Sequence, residues 1–192
     1  MNAGSALPIV DRMTATRWLT ATEQRAWRAY LEANRLLFDA LDRQLQQEAG
    51  IPLAYYELLV QLSEAPDRSL RMSRLAEVTR SSRSRLSHAI DRLVERGWVE
   101  RLNCPTDRRG QFARLTDAGF DAIVAAAPGH VEAVRAYLVD RLTAEQIGTL
   151  ELISGAVIDG LTPACEEAAA RTAVETGCDP ASVEAAELTK QR

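Results

Sequence analysis

Histidine and cysteine are scarce in this chain of 192 residues, which has two of the first and three of the second. His88 and His130 are too few for an all-histidine metal site within one subunit. Cys104, Cys165 and Cys178 are odd in number and follow no metal-ligand spacing, so neither a disulfide framework nor a zinc centre is supported. No metal and no cofactor is expected. Aromatics make up only 5% of the residues, and no run approaches the roughly 18 apolar residues of a membrane span. The N-terminal MNAGSALPIVDRM lacks a basic region ahead of an apolar core, so a cytoplasmic protein without a membrane partner is expected. A glycine-rich phosphate loop, a GxSxG elbow and an HExxH pair are all absent, which argues against an enzyme.

Charge is unevenly placed. Between Arg68 and Arg114 lie twelve arginines against five acids, a surplus of +7, so the remaining residues carry −11 to reach the net −4. Two readings fit such a block: a surface for a polyanion, or a solvated, salt-bridged face.

The hydrophobic spacing predicts a mainly α-helical fold. Trp27, Tyr30, Leu31, Phe38, Leu41 and Leu45 recur every three or four residues, giving a long helix over about Thr22 to Glu48 that Gly50 ends. Pro52 opens a second helix running toward Pro66, and Met72, Leu75 and Val78 mark a short third. The fourth, SSRSRLSHAIDRLVERG, starts at a serine cap and stops on Gly97. Projected at 100° per residue, Leu86, Ile90 and Leu93 share one face, while Ser84, Arg85, His88, Asp91 and Arg92 face away from it. WVERL and QFARL then read as a small β-hairpin around NCPTDRRG. Thr20 with Glu23 and Thr143 with Gln146 have capping-box spacing, and Thr116 offers a third cap, with Gly119 where Glu or Gln is usual. Pro128-Gly129 is expected to break or kink the helix that follows Thr116. The Ala- and Glu-rich remainder from residue 163 reads as an appended helix or loose tail.

Two short helices followed by a hairpin with an arginine-bearing tip make a winged helix-turn-helix. A helix fits the major groove of DNA, and a slender loop reaches the minor groove, whose negative potential draws arginine. At that tip Asp107 is placed to orient one of Arg108 and Arg109 while the other meets phosphate.

The stretch LAEVTRSSRSRLSHAIDRLVERGWVERLNCPTDRRGQFARLTDAGF resembles the MarR family of bacterial transcription regulators, in its RLVERGWVER step and its DRR and LTDAG wing elements. The helix order extends the resemblance over about Thr20 to Leu161. It implies a winged helix-turn-helix with N- and C-terminal dimerisation helices. The expected division is residues 1–50 for an arm and long dimerisation helix, 51–116 for the DNA-binding lobe, 117–162 for C-terminal dimerisation helices, and 163–192 for the tail. Arg109 becomes the wing arginine and Asp107 its orienting partner. Ser84, Arg85, His88 and Arg92 become recognition-helix contacts, joined by Ser82, Arg83, Ser87 and Arg108 as candidates for DNA contact. The implied protein is a homodimeric, ligand-responsive repressor on an inverted-repeat DNA operator, with a small aromatic or phenolic effector. Trp27, Tyr30, Phe38, Tyr55 and Tyr56 are candidates to line its pocket, although residues at helical spacing serve equally as core or interface. Ala113 departs from the family by standing where a larger aliphatic is usual, and Cys104 by standing where Asp is frequent. A redox-responsive regulator using Cys104, with nearby arginines favouring the thiolate, and a protein-binding adaptor on the same scaffold are the alternatives.

Overall fold

A computed structural model describes residues 16–103 and 110–162, and divides the chain into two compact units, Met1–Phe38 and Asp39–Arg192. The boundary falls inside the first long helix, α1 (Ala21–Ala49). In the first unit the predicted capping box is formed. The Thr20 N–H donates to Glu23 Oε2 at 2.7 Å, and the Glu23 N–H donates to Thr20 Oγ1 at 3.3 Å. These bonds, the backbone one foremost, hold the exposed Glu23 carboxyl below its usual pKa. Trp27, Tyr30, Leu31, Leu36 and Phe38 are all exposed.

In the second unit, the last turns of α1 bury Leu41 and Leu45. Gly50 ends the helix at φ +67, a conformation that favours glycine. Asp42 Oδ1 then accepts the Leu53 N–H at 2.8 Å, satisfying an otherwise orphan donor at the start of α2 (Leu53–Glu64). Next come a strand not foreseen from the sequence, β1 (Ser69–Arg71), then α3 (Met72–Val78) and α4 (Arg83–Glu95). Leu59, Leu62, Leu75, Ile90 and Leu93 form the centre of the core. Burial of each contributes about 1.5–3 kcal/mol.

The wing is a three-stranded antiparallel sheet, not a bare hairpin. β2 (Val99–Asn103) and β3 (Gln111–Leu115) pair with Arg101 opposite Ala113, and β1 covers the other edge of β3 with Leu70 opposite Ala113, giving the order β1-β3-β2. α4 closes as its sequence predicts: Gly97 takes φ +72, its N–H donates to Val94 O at 2.8 Å, and the Trp98 N–H donates to Leu93 O at 3.0 Å.

α5 (Asp117–Tyr137) corrects one expectation. Pro128 removes one backbone donor, yet the helix continues through it and Gly129 without a break. The reason is tertiary. A side chain at Gly129 would lie 2.3 Å from Glu48 Oε2 and 3.1 Å from Gln44 Nε2, so the absence of one leaves room for these two α1 side chains, and Ala126 and Ala133 are buried on either side. Packing on both sides of the proline outweighs a single lost hydrogen bond. Gly119 answers a similar demand, since a Cβ there would lie 2.2 Å from the Trp98 carbonyl oxygen. That contact explains why the Thr116 cap, which accepts the Gly119 N–H at 3.0 Å, carries no Glu or Gln at this position. After a 3-10 turn (Val139–Arg141), α6 (Ala144–Leu161) begins at the predicted Thr143–Gln146 capping box. It buries none of its residues.

Candidate nucleic-acid interface

α3, the turn through Arg80 and α4 form the helix-turn-helix. Arg80 sits at φ +48, unusual for a side chain other than glycine or asparagine, and its N–H donates to Glu77 O at 3.0 Å. Ser82 is the N-cap of α4, its hydroxyl accepting the Arg85 N–H at 3.3 Å. Leu86, Ile90 and Leu93 anchor α4 in the core, which turns Arg83, Ser84, Arg85 and His88 outward into solvent.

The other predicted residues of this helix are engaged. Arg92 donates to Glu95 at 2.8 Å, and that bond, with the charge of Glu95, raises the exposed guanidinium's pKa. Such an exposed pair is readily broken by a competing phosphate. Ser87 is half-buried, and both its carbonyl and its hydroxyl accept from Arg101 Nη2, each at 3.1 Å. The same nitrogen donates to Asp91 Oδ1 at 2.8 Å, and Nη1 donates to Gln111 Oε1 at 3.0 Å. A cleft of about 390 Å³ opens between α4 and the base of the wing, lined by Arg71, Ser73, Arg83, Ser87, Arg101 and Gln111. On its rim the exposed Arg83 guanidinium suits an oxyanion such as a nucleic-acid phosphate, whereas Arg101 and the Ser87 hydroxyl are taken up by each other. Asp107, Arg108, Arg109 and Cys104 lie outside the described residues.

Sequence reasoning missed Arg101 as the tie between helix and wing. Its partners lie 10 and 14 residues away along the chain, at spacings no periodicity marks. Of the aromatic candidates, Trp27, Tyr30 and Phe38 are exposed on α1, the Trp27 and Tyr30 ring centroids lying 6.4 Å apart. Tyr55 is half-buried on α2, and Tyr56 is buried with its ring centroid 4.8 Å from that of His130. His130 Nδ1 is buried without a hydrogen-bond partner among the described residues. Burial lowers the pKa of His130 and raises that of Tyr56. Among the described residues no group of three or more His, Cys, Asp or Glu is arranged to hold a metal, and no helix is long and apolar enough to cross a membrane.

A family model described as MarR family matches residues 49–110. Sco3205, a MarR family transcriptional regulator from Streptomyces coelicolor solved in complex with DNA, is 56% identical over 78% of this chain and 94% of its own, with a TM-score of 0.75. The chain belongs to the MarR family. A second MarR-family structure, AbsC from the same organism, is 45% identical over 76% of this chain and 98% of its own, with a TM-score of 0.71. The multiple antibiotic resistance protein MarR of Escherichia coli strain K12 is 37% identical over 68 residues, which are 35% of this chain and 47% of that protein. The chain thus spans about half the length of the curated relatives it matches. The matched residues of the family model, 49–110, include the whole helix-turn-helix described above.

Proposed function

We propose that this MarR-family chain is a sequence-specific transcription regulator, a cytoplasmic repressor that binds double-stranded DNA as a homodimer and is released by a small aromatic or phenolic molecule. The observation that carries the reading is α4. Its apolar stripe is fixed in the core while Arg83, Ser84, Arg85 and His88 are exposed together beside an arginine-lined cleft. The likeness to Sco3205, itself solved with DNA, supports the same assignment. Arg108 and Arg109, with Asp107 beside them, extend the proposed DNA contact to the wing tip, where their sequence context matches the family wing.

Two helices support the homodimer. α6 exposes Leu152, Ile153, Val157, Ile158 and Leu161, and α1 exposes Trp27, Tyr30, Leu36 and Phe38. Apolar surface on this scale in a folded chain marks an interaction surface. For the effector, support comes from Tyr56 packed on His130, with the buried His130 Nδ1 and Gln44 Oε1 lacking hydrogen-bond partners among the described residues. A phenolic hydroxyl or carboxylic acid supplies both donor and acceptor atoms.

The test is selection of preferred duplexes from a random pool, followed by light scattering at micromolar protein. The expected result is an inverted repeat with half-site centres about 10 base pairs apart, bound by a dimer. A pool that yields no preferred sequence, or a protein that stays monomeric, refutes the reading.

A further inference from the structure

Arg101 lies on β2 directly opposite Ala113, a fully buried residue of the central strand, and cross-strand partners share a face of the sheet. From that face its guanidinium reaches three places: the carbonyl and hydroxyl of Ser87 in the middle of α4, Asp91 one turn further along, and Gln111 at the start of β3. Four hydrogen bonds from one planar group thus join the helix to both strands of the hairpin. The side chain is only 24% exposed, and Nε is buried without a partner among the described residues. Of the five donors of an arginine, the described partners engage atoms on the protein itself, leaving little of the group to turn toward an external phosphate.

We propose that Arg101 is a positioning residue, which fixes the angle between α4 and the wing, and that operator affinity depends on it without direct contact to DNA. This rests on the DNA-binding reading above. A lysine cannot replace it, because an ammonium at one point cannot span Ser87, Asp91 and Gln111. Asp91 provides the sharper discrimination. As an acid on the basic face it repels DNA, so its neutralisation by itself strengthens DNA binding. As the anchor of Arg101, its loss weakens operator binding.

The experiment measures binding by fluorescence anisotropy of the wild type, Arg101→Gln, Arg101→Lys, Asp91→Asn and the Arg101→Gln/Asp91→Asn double variant, on a duplex selected from a random pool and on a scrambled duplex. Circular dichroism and thermal melting check each fold. Arg101→Gln, Arg101→Lys and Asp91→Asn should each weaken selected-duplex binding by about tenfold or more while leaving scrambled-duplex binding within about twofold, and the double variant should be no worse than the weaker single variant, as for residues acting as one unit. If Arg101→Gln fails to fold, Arg101→Lys and Asp91→Asn decide. Full binding by Arg101→Lys, tighter selected-duplex binding by Asp91→Asn, or equal losses on both duplexes for the Arg101 variants would overturn the inference in favour of a simple charge or phosphate contact. A wild type that binds neither duplex overturns the DNA-binding reading itself.

Discussion

Gly119 and Gly129 both lie in α5, and both meet close neighbours, but replacing each by alanine should have opposite weight. At Gly119 the added Cβ falls 2.2 Å from the Trp98 carbonyl oxygen and 2.8 Å from Leu115 Cδ1. The first neighbour is backbone, which must open by about 0.8 Å to reach the 3.0 Å limit of real Cβ contacts. That same carbonyl accepts the Thr116 N–H at 3.0 Å, so the shift also disturbs the residue that caps α5. Overpacking of this kind costs about 1–3 kcal/mol. Loss of the cap adds about 1 kcal/mol, and the better helix propensity of alanine returns about 1 kcal/mol. The net is about 2 kcal/mol, which lowers the melting temperature of a chain this size by roughly 4–8 °C. At Gly129 the clash is with Glu48 Oε2, the tip of a side chain that can swing away and forfeit its 2.7 Å bond from Gln44. Here the helix propensity gain offsets most of the cost, and the change should stay within about 1 kcal/mol of zero. Urea unfolding followed by circular dichroism, at one fixed protein concentration, reads both. Equal midpoints for the two variants would refute the distinction between backbone and side-chain neighbours.

Arg85→Ala should cost roughly 1–3 kcal/mol on a selected duplex and spare scrambled DNA, whereas Arg109→Ala should weaken both and lower the salt slope by about one; equal losses on both duplexes would remove Arg85 from the base-reading set. Arg80→Gly should raise stability by roughly 0.5–1 kcal/mol, because the left-handed backbone at φ +48 is strained for arginine, with the greater freedom of unfolded glycine taking back part of the gain; a thermal melt no higher than that of Arg80→Ala would refute it. His130 should make the fold acid-sensitive. Burial lowers its folded pKa below the ordinary value, so the unfolded chain binds the proton more readily. Stability is therefore full above about pH 6.5 and falls as pH drops through the lowered folded value. His130→Phe should flatten this part of the melting profile between about pH 7 and 5, and an unchanged profile would place the sensitivity elsewhere.

Features controlled by neighbouring residues were legible in the sequence. The Thr20–Glu23 and Thr143–Gln146 capping boxes, a serine cap at the start of α4 and a helix stop at Gly97 each depend on atoms within a few positions, and each is legible in the sequence. β1 was not legible, because three residues carry no periodicity and their pairing partner lies more than forty positions away in β3. Pro128 runs against its local signal for a related reason: its penalty is real, but the packing that buries Ala126 and Ala133 on either side of it is invisible in the local sequence. At the candidate site the outward set Ser84, Arg85 and His88 follows from helical projection, whereas Arg83 projects beside the apolar stripe and is exposed as the first residue of α4. The inward engagement of Ser87 depends on a guanidinium from another element.

The unbroken α5 has a mechanical consequence. Its 21 residues make a rod about 31 Å long, clamped at one end against the Trp98 carbonyl at the foot of the wing. A hinge at Pro128 would have let the two halves bend independently and dissipated any motion between them. A continuous rod instead acts as a lever: a tilt of about 5° sweeps its free end through nearly 3 Å, close to the roughly 3.4 Å rise between successive nucleotides of a DNA strand. A displacement of that size near Tyr137 is thereby matched by a rotation of only a few degrees at the foot of the wing.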